Sequence, residues 1–456
     1  MRLLRALGGT ALLVALGCDP STGVRAVPPE LEPKFGVLVP TLDRSVMSSG
    51  LTVISTRSAD FGVVRLELVM RAGYDFDPPE KAGVARVLGN LLALHAPSPR
   101  NDVRFGTLGA TPSITVDRNA LTLAIEVMPA DAAAGVQALA DFVREPVPVA
   151  EYLDQARAGR RAAIGMARGS PDLLAALAMA RIFSPWADRS GALGFGTEAS
   201  LAAISAQDVE QHLASARNTR DAALVVVGPI EPMEPESWAL AAFVDWPRSN
   251  VRAASGAARV APRERRVVFV PVAGMKQSLI VVGGLRPRKH DDTAPAFEAA
   301  LAMLMGRIQT ALREERRISY GIGRDVATEA DTFAVPIRVR SDKTRVALME
   351  IRRLLDDNLV TPSSQWLATM RNIALTSAMD DAQHGASAAA IAREVFLYGL
   401  GLAALEREWK ALETLEPDQV YDAAARQLTA AQLGFVVVGD PAVRDQLGDD
   451  IESWSL

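Results

Sequence analysis

The sequence predicts an α+β protein made of two homologous halves, each a largely antiparallel sheet covered by helices. Three pairs of landmarks carry that prediction. The strand-like run Val64–Met70 ends near Gly73, a second run over 278–282 ends at Gly283 and Gly284, and Gly73 and Gly284 are 211 residues apart. The segment LAAISAQDV begins at Leu201 and LETLEPDQV at Leu412, again 211 residues apart. The apolar runs ALVVVG and GFVVVG end at Gly228 and Gly439, at the same offset. One offset shared by three separate signals marks an internal duplication.

Each half repeats one order of signals. A half-buried strand comes first, then a long helix, then strands with period-two alternation, as in Leu121–Val127 and again over 333–339. Helices rich in Ala and Leu come next, at 170–182 in the first half and 385–410 in the second. A closing apolar strand ends each half, over 223–227 and 435–438. Strands grouped with packed helices predict segregated layers rather than a parallel βαβ series.

The flanks and joint have a different character. Residues 1–18 (MRLLRALGGTALLVALGC) join a basic start, Arg2 and Arg5, to a short apolar run that ends at Cys18, the one cysteine of the chain. That is the pattern of a secretory signal. A cysteine after the small Gly17 resembles a bacterial lipobox, in which the thiol is lipidated and becomes the mature N-terminus; Ala15 stands where leucine is usual. An ordinary signal peptide, or a non-cleaved anchor, with an incidental cysteine is the other reading. Residues 19–45 are rich in Pro and polar side chains and read as a flexible tether. The folded body is expected at 46–232 and 266–456, joined by a connector over 233–265. The expected place is the bacterial cell envelope, lipid-anchored and facing the periplasm. The net charge of −5 argues against a nucleic-acid partner, and no stretch after residue 18 has the roughly 20 apolar residues of a membrane span.

The segments RAGYDFDPPEKAGVARVLGNLL, SLAAISAQDVEQHLASARNTRDAALVVVGPI and ALREERRISYGIG resemble the pitrilysin/insulinase-type zinc metallopeptidases, in particular their two-domain, mitochondrial-processing-peptidase-like branch. The likeness runs from about residue 45 to 450 and implies a LuxS/MPP-like clamshell. In that family the helix after the first strand carries H-x-x-E-H. Two histidines one turn apart hold zinc, and the glutamate is the general base for a bound water. Here Arg86 stands at the first histidine, Gly89 at the glutamate and Asn90 at the second histidine. A guanidinium has no lone pair for a metal, glycine offers no base, and an amide oxygen is a weak ligand. The third ligand, a glutamate in the family, is expected near 160–168, yet residues 155–171 hold arginines and no Asp or Glu. The resemblance therefore implies a member that has lost its zinc and cannot hydrolyse peptides alone.

The histidines offer no substitute. His95, His212, His290 and His384 include no pair at helical spacing. His95 reads as a helix-end or surface residue, and the other three as exposed loop or helix-face residues. No G-x-S-x-G elbow appears, so an autonomous hydrolase of another class has no support.

The second half keeps more of the family pattern. Arg313 and Tyr320 lie seven residues apart in LREERRISYGIG. In the family an arginine and a tyrosine at this spacing hold the substrate peptide, a task suited to a guanidinium and a phenol. Arg313 also belongs to a charged helix end and Tyr320 to a strand, so a structural role for both stays open. The implied function is a non-catalytic subunit that lends Arg313 and Tyr320 to a zinc-bearing homologous partner in a heterodimer. The alternative is a peptide-binding or scaffold envelope protein with no role in proteolysis.

Overall fold

The computed structural model describes residues 41–57, 62–183, 192–231, 233–248, 267–288, 291–323, 331–357, 360–382, 385–448 and 451–455. Cys18, His290, His384 and most of the expected tether lie outside the described residues.

The first half contributes β1 (Asp43–Val46), β2 (Thr52–Arg57), β3 (Val64–Met70), β4 (Ser113–Val116), β5 (Leu121–Val127) and β6 (Ala222–Gly228). Its helices are α1 (Val84–His95), α2 (Pro99–Gly106), α3 (Ala132–Arg144), α4 (Val149–Arg168), α5 (Pro171–Phe183), α6 (Glu198–Ala203), α7 (Ala206–Ala216) and α8 (Glu234–Ala242). The second half contributes β7 (Val267–Pro271), β8 (Gln277–Leu285), β9 (Ser319–Ile322), β10 (Thr332–Arg340), β11 (Gly434–Gly439) and β12 (Glu452–Ser453). Its helices are α9 (Ala294–Gln309), α10 (Thr344–Asp356), α11 (Ser364–Ala382), α12 (Gly385–Leu397), α13 (Leu402–Glu413) and α14 (Pro417–Gln427).

Two six-stranded sheets result, in the orders β1-β2-β6-β3-β5-β4 and β12-β7-β11-β8-β10-β9. The duplication read from the sequence is structural. From β2 and β7 outward, β6, β3, β5 and β4 match β11, β8, β10 and β9 in position. The sheets are mostly antiparallel, but β2 runs parallel to β6, and β7 runs parallel to both β11 and β12. The central β6 and β11 are buried along their whole length, which is why they read as unbroken apolar runs rather than alternating ones. In β3 the alternation is visible: Leu66, Leu68 and Met70 enter the core beneath α1 and α3, while Val69 joins a cluster on the opposite face.

Each sheet borrows its second cover from the other half. Helix α5 of the first half packs Leu174, Ala178, Met179 and Phe183 on Val268, Leu279, Val281 and Val436 of the second sheet. Helix α12 of the second half packs Ala388, Ala392, Val395 and Phe396 on Ile54, Val69, Ala223 and Val225 of the first. Polar contacts lock the exchange. Arg338 donates to both carboxylate oxygens of Asp172 at 2.7 Å. Glu67, 1 % exposed in β3, pairs with Arg65 at 2.8 Å and with Arg393 of α12 at 2.6 Å.

Three expectations are amended. The helix expected over 385–410 is two helices, α12 and α13, bent by 116° across a break where Gly399 has φ +64. The stretch expected to begin a connector instead forms α8, and Ala239, Ala242, Phe243 and Trp246 are buried in the first core. Strand β1 begins at Asp43, so an edge strand occupies the end of the expected tether. No single described helix is long and apolar enough to cross a membrane.

Candidate functional site

Helix α1 starts where Asp77 caps it. The Asp77 carboxylate accepts from the Gly83 N–H at 2.6 Å and the Ala85 N–H at 3.0 Å, satisfying two orphan donors of the first turn. Burial pushes that carboxyl up to about 7, opposed by these same hydrogen bonds. The apolar face of α1 (Val84, Val87, Leu88, Leu91) lies in the first core, leaving Arg86 and Asn90, four residues apart, half-buried beside α4. Asn90 Nδ2 donates to the Ala156 carbonyl of α4 at 3.3 Å.

Arg86 and Asn90 lie beside the helix on which the third ligand is expected, whereas Gly89 faces Val116 of β4. That helix buries Val149, Leu153, Ala156, Arg160, Ile164 and Ala167, one stripe at spacings of three and four. Arg160 occupies an apolar position of the stripe and is only 7 % exposed. Its guanidinium lies 5.3 Å from the Phe195 ring centroid, and that of Arg86 lies 5.8 Å from the same ring and 5.1 Å from Tyr74. Burial first and the neighbouring Arg86 second lower the Arg160 pKa to about 10. The Nε and Nη2 of Arg160 and the Nε of Arg86 are buried without a hydrogen-bond partner.

The platform under these arginines is built by a tight loop. Leu193, Gly194 and Gly196 all have positive φ, at 61°, 68° and 73°. A Cβ at Gly194 would fall 2.5 Å from Tyr74 Cγ, so only glycine lets the loop lie on that ring. Ser200 Oγ donates to the Ala82 carbonyl at 2.8 Å and ties the loop to the start of α1.

Zinc does not fit these residues. A tetrahedral site needs neutral or anionic donors, and the locus presents two cations and an amide committed to a backbone carbonyl. Gly89 is crowded as well: a Cβ there would lie 2.6 Å from Val116 Cγ2 on β4, so a side chain at that position requires the Val116 side chain to shift. Among the described residues no cluster of three His, Cys, Asp or Glu could hold a metal.

His95 ends α1 and stacks on Phe142 at 5.8 Å, its pKa lowered by burial and by Arg104. His212 departs from expectation. It lies on α7 but is buried, its Nε2 3.2 Å from the Ala72 carbonyl, and burial lowers its pKa. The apolar spacing of Val209, His212, Leu213 and Ala216 was the available signal.

Arg313 and Tyr320 sit on one segment of the second half. Arg313 is exposed on a π-helical turn, Thr310–Glu315, that continues α9. The chain reverses at Arg317, whose φ is 55°, and enters β9, where Tyr320 is 61 % exposed. Arg316 anchors the reversal on Glu350 at 2.7 Å. Strand β9 is the last strand of its sheet.

Residues 203–363 match the family model described as Peptidase M16 inactive domain. No curated protein matches the sequence. Among solved structures, a peptidase M16 inactive domain from Pseudomonas fluorescens is 17 % identical with a TM-score of 0.77, covering 88 % of this chain and 98 % of that one. A protease from Helicobacter pylori is 14 % identical with a TM-score of 0.77, covering 88 % of this chain and 100 % of that one. The periplasmic protease PqqL from Escherichia coli is 15 % identical with a TM-score of 0.73, covering 93 % of this chain but 48 % of its own. Residues 203–363 thus match a peptidase M16 inactive domain, and the fold across both halves is similar to that of peptidase M16 proteins, while H-x-x-E-H is absent from this sequence.

Proposed function

We propose that this protein is the non-catalytic subunit of a periplasmic metallopeptidase complex, pairing with a zinc-bearing homologue and presenting peptide to it through Arg313 and Tyr320. The observation that carries this reading is the contrast between the two halves. The former metal locus is filled by guanidinium groups and crowded at Gly89, whereas Arg313 and Tyr320 stand exposed with no hydrogen bond or ion pair among the described residues. A peptide laid along β9 adds a strand to the sheet, with the phenol and guanidinium at hand for its carbonyls. Cys18 would tether the subunit to the membrane through lipid, and the periplasmic name of the similar Escherichia coli protease supports an envelope setting.

The test is to purify the chain alone and with an active homologue encoded beside it. Alone it is expected to hold no stoichiometric zinc by mass spectrometry and to leave peptides intact. With the partner it co-purifies, and Arg313→Ala lowers the activity of the complex at least tenfold. A complex indifferent to Arg313→Ala overturns the substrate-holding role. The alternative, an envelope scaffold with no part in proteolysis, draws on the similar chain of Complex III2 from Candida albicans, 13 % identical with a TM-score of 0.71; a pull-down that yields only partners other than peptidases favours it.

A further inference from the structure

We propose that the former metal locus has become an oxyanion site, in which Arg160 and Arg86 hold a carboxylate or phosphate group beside the Phe195 ring.

A buried arginine ordinarily comes with an acid, because an uncompensated charge in the interior costs several kcal/mol. Arg160 has none. It lies in a stripe of Leu, Ala and Ile, its Nε and Nη2 are buried without an acceptor, and no described residue forms an ion pair with it. The charge that acts on it is a second guanidinium, Arg86, over the same aromatic ring. Neighbouring acids are committed elsewhere: Asp77 caps α1, and Glu198 faces Arg161 at 3.4 Å.

Two like charges on one ring, with three inward donors unspent, form a receptor for a small anion. The guanidinium fork matches the paired oxygens of a carboxylate or phosphate. Gly159, exposed on α4, stands close to Asn90: a Cβ there would lie 3.0 Å from Asn90 Nδ2. Asn90 adds an amide at the rim, beyond its bond to Ala156. The charge logic of the family's site is inverted: where carboxylate and imidazole held a cation, cations hold an anion. The proposal does not depend on a peptidase partner.

The experiment titrates the full chain by calorimetry with inorganic phosphate, and separately with acetyl-trialanine as the free acid and as the amide, at ionic strength fixed by chloride. Saturable one-to-one binding of phosphate or the free acid is expected, weakened at least tenfold in Arg160→Met and in Arg86→Gln. Preference for the free acid over phosphate assigns a peptide terminus as the source, and the reverse assigns a phosphate compound. Arg160→Met is expected to melt no lower than the wild type without anion, since it removes an unpaired buried charge; should it fail to fold, Arg86→Gln decides. Heats equal to the chloride control, or binding unchanged in the folded variants, overturn the proposal.

Discussion

Gly89 shows how one position can be shut to chemistry from two sides. It lacks a side chain, and Val116 occupies the space a side chain would need. Gly89→Ala gains about 1 kcal/mol of helix propensity but meets a crowding cost of about 1–3 kcal/mol. The expected net result is a loss of about 1 kcal/mol by urea denaturation. Pairing it with Val116→Ala should relieve the crowding, so the double variant is expected to be more stable than Val116→Ala alone. A Gly89→Ala protein more stable than the wild type would show that the space is open. That Arg86, Gly89 and Asn90 make a poor donor set for zinc was legible at this scale, because coordination chemistry depends on residue type. Arg160 was not legible in the same way. Its signal was a lone arginine in the apolar series 149, 153, 156, 160, 164, 167, which becomes informative only once α1 is known to lie against that stripe.

At the scale of elements, α12 decides how the halves join. Its sequence, GASAAAIAREVFL, reads as continuous with residues 398–410, which is why the sequence predicts a single long helix over 385–410. Local composition favours continuation; the turn at Gly399 and the docking of α12 on a sheet from the other half break it. Tertiary contact overrides propensity, as it does for Ala-rich segments able to continue in either way. The polar anchor of that docking is Arg393 on Glu67. Arg393→Ala leaves Glu67 in the seam with Arg65 alone, and the expected loss is about 3 kcal/mol in guanidinium denaturation, the lower end for a broken buried pair. Replacing Glu67 and Arg393 together by leucine should recover most of it. A loss within about 0.5 kcal/mol, that of an ordinary surface change, would mean that Arg65 suffices.

Across the whole molecule, the duplication was legible because three landmarks shared one offset, and the matching sheet orders reflect it. The exchange of α5 and α12 was not, because periodicity assigns a helix an apolar face but not the sheet that receives it. The exchange predicts that the halves are not independent. A fragment over 41–248 bares Ile54, Val69, Ala223 and Val225, which α12 covers in the full chain. Expressed alone it is expected to be insoluble, and to become soluble when 267–455 is co-expressed. A fragment that stays soluble and monomeric by light scattering would show that the cover is dispensable.

That mutual cover also sets a clock during biosynthesis. The last strand of the first sheet leaves the ribosome well before residues 385–397, and at about 5–20 residues per second the interval is on the order of ten seconds. Through that interval a nascent strand face of valine and isoleucine has no lid, a state prone to pairing with other chains. Such a polypeptide calls for a chaperone to hold it until its closing helix arrives.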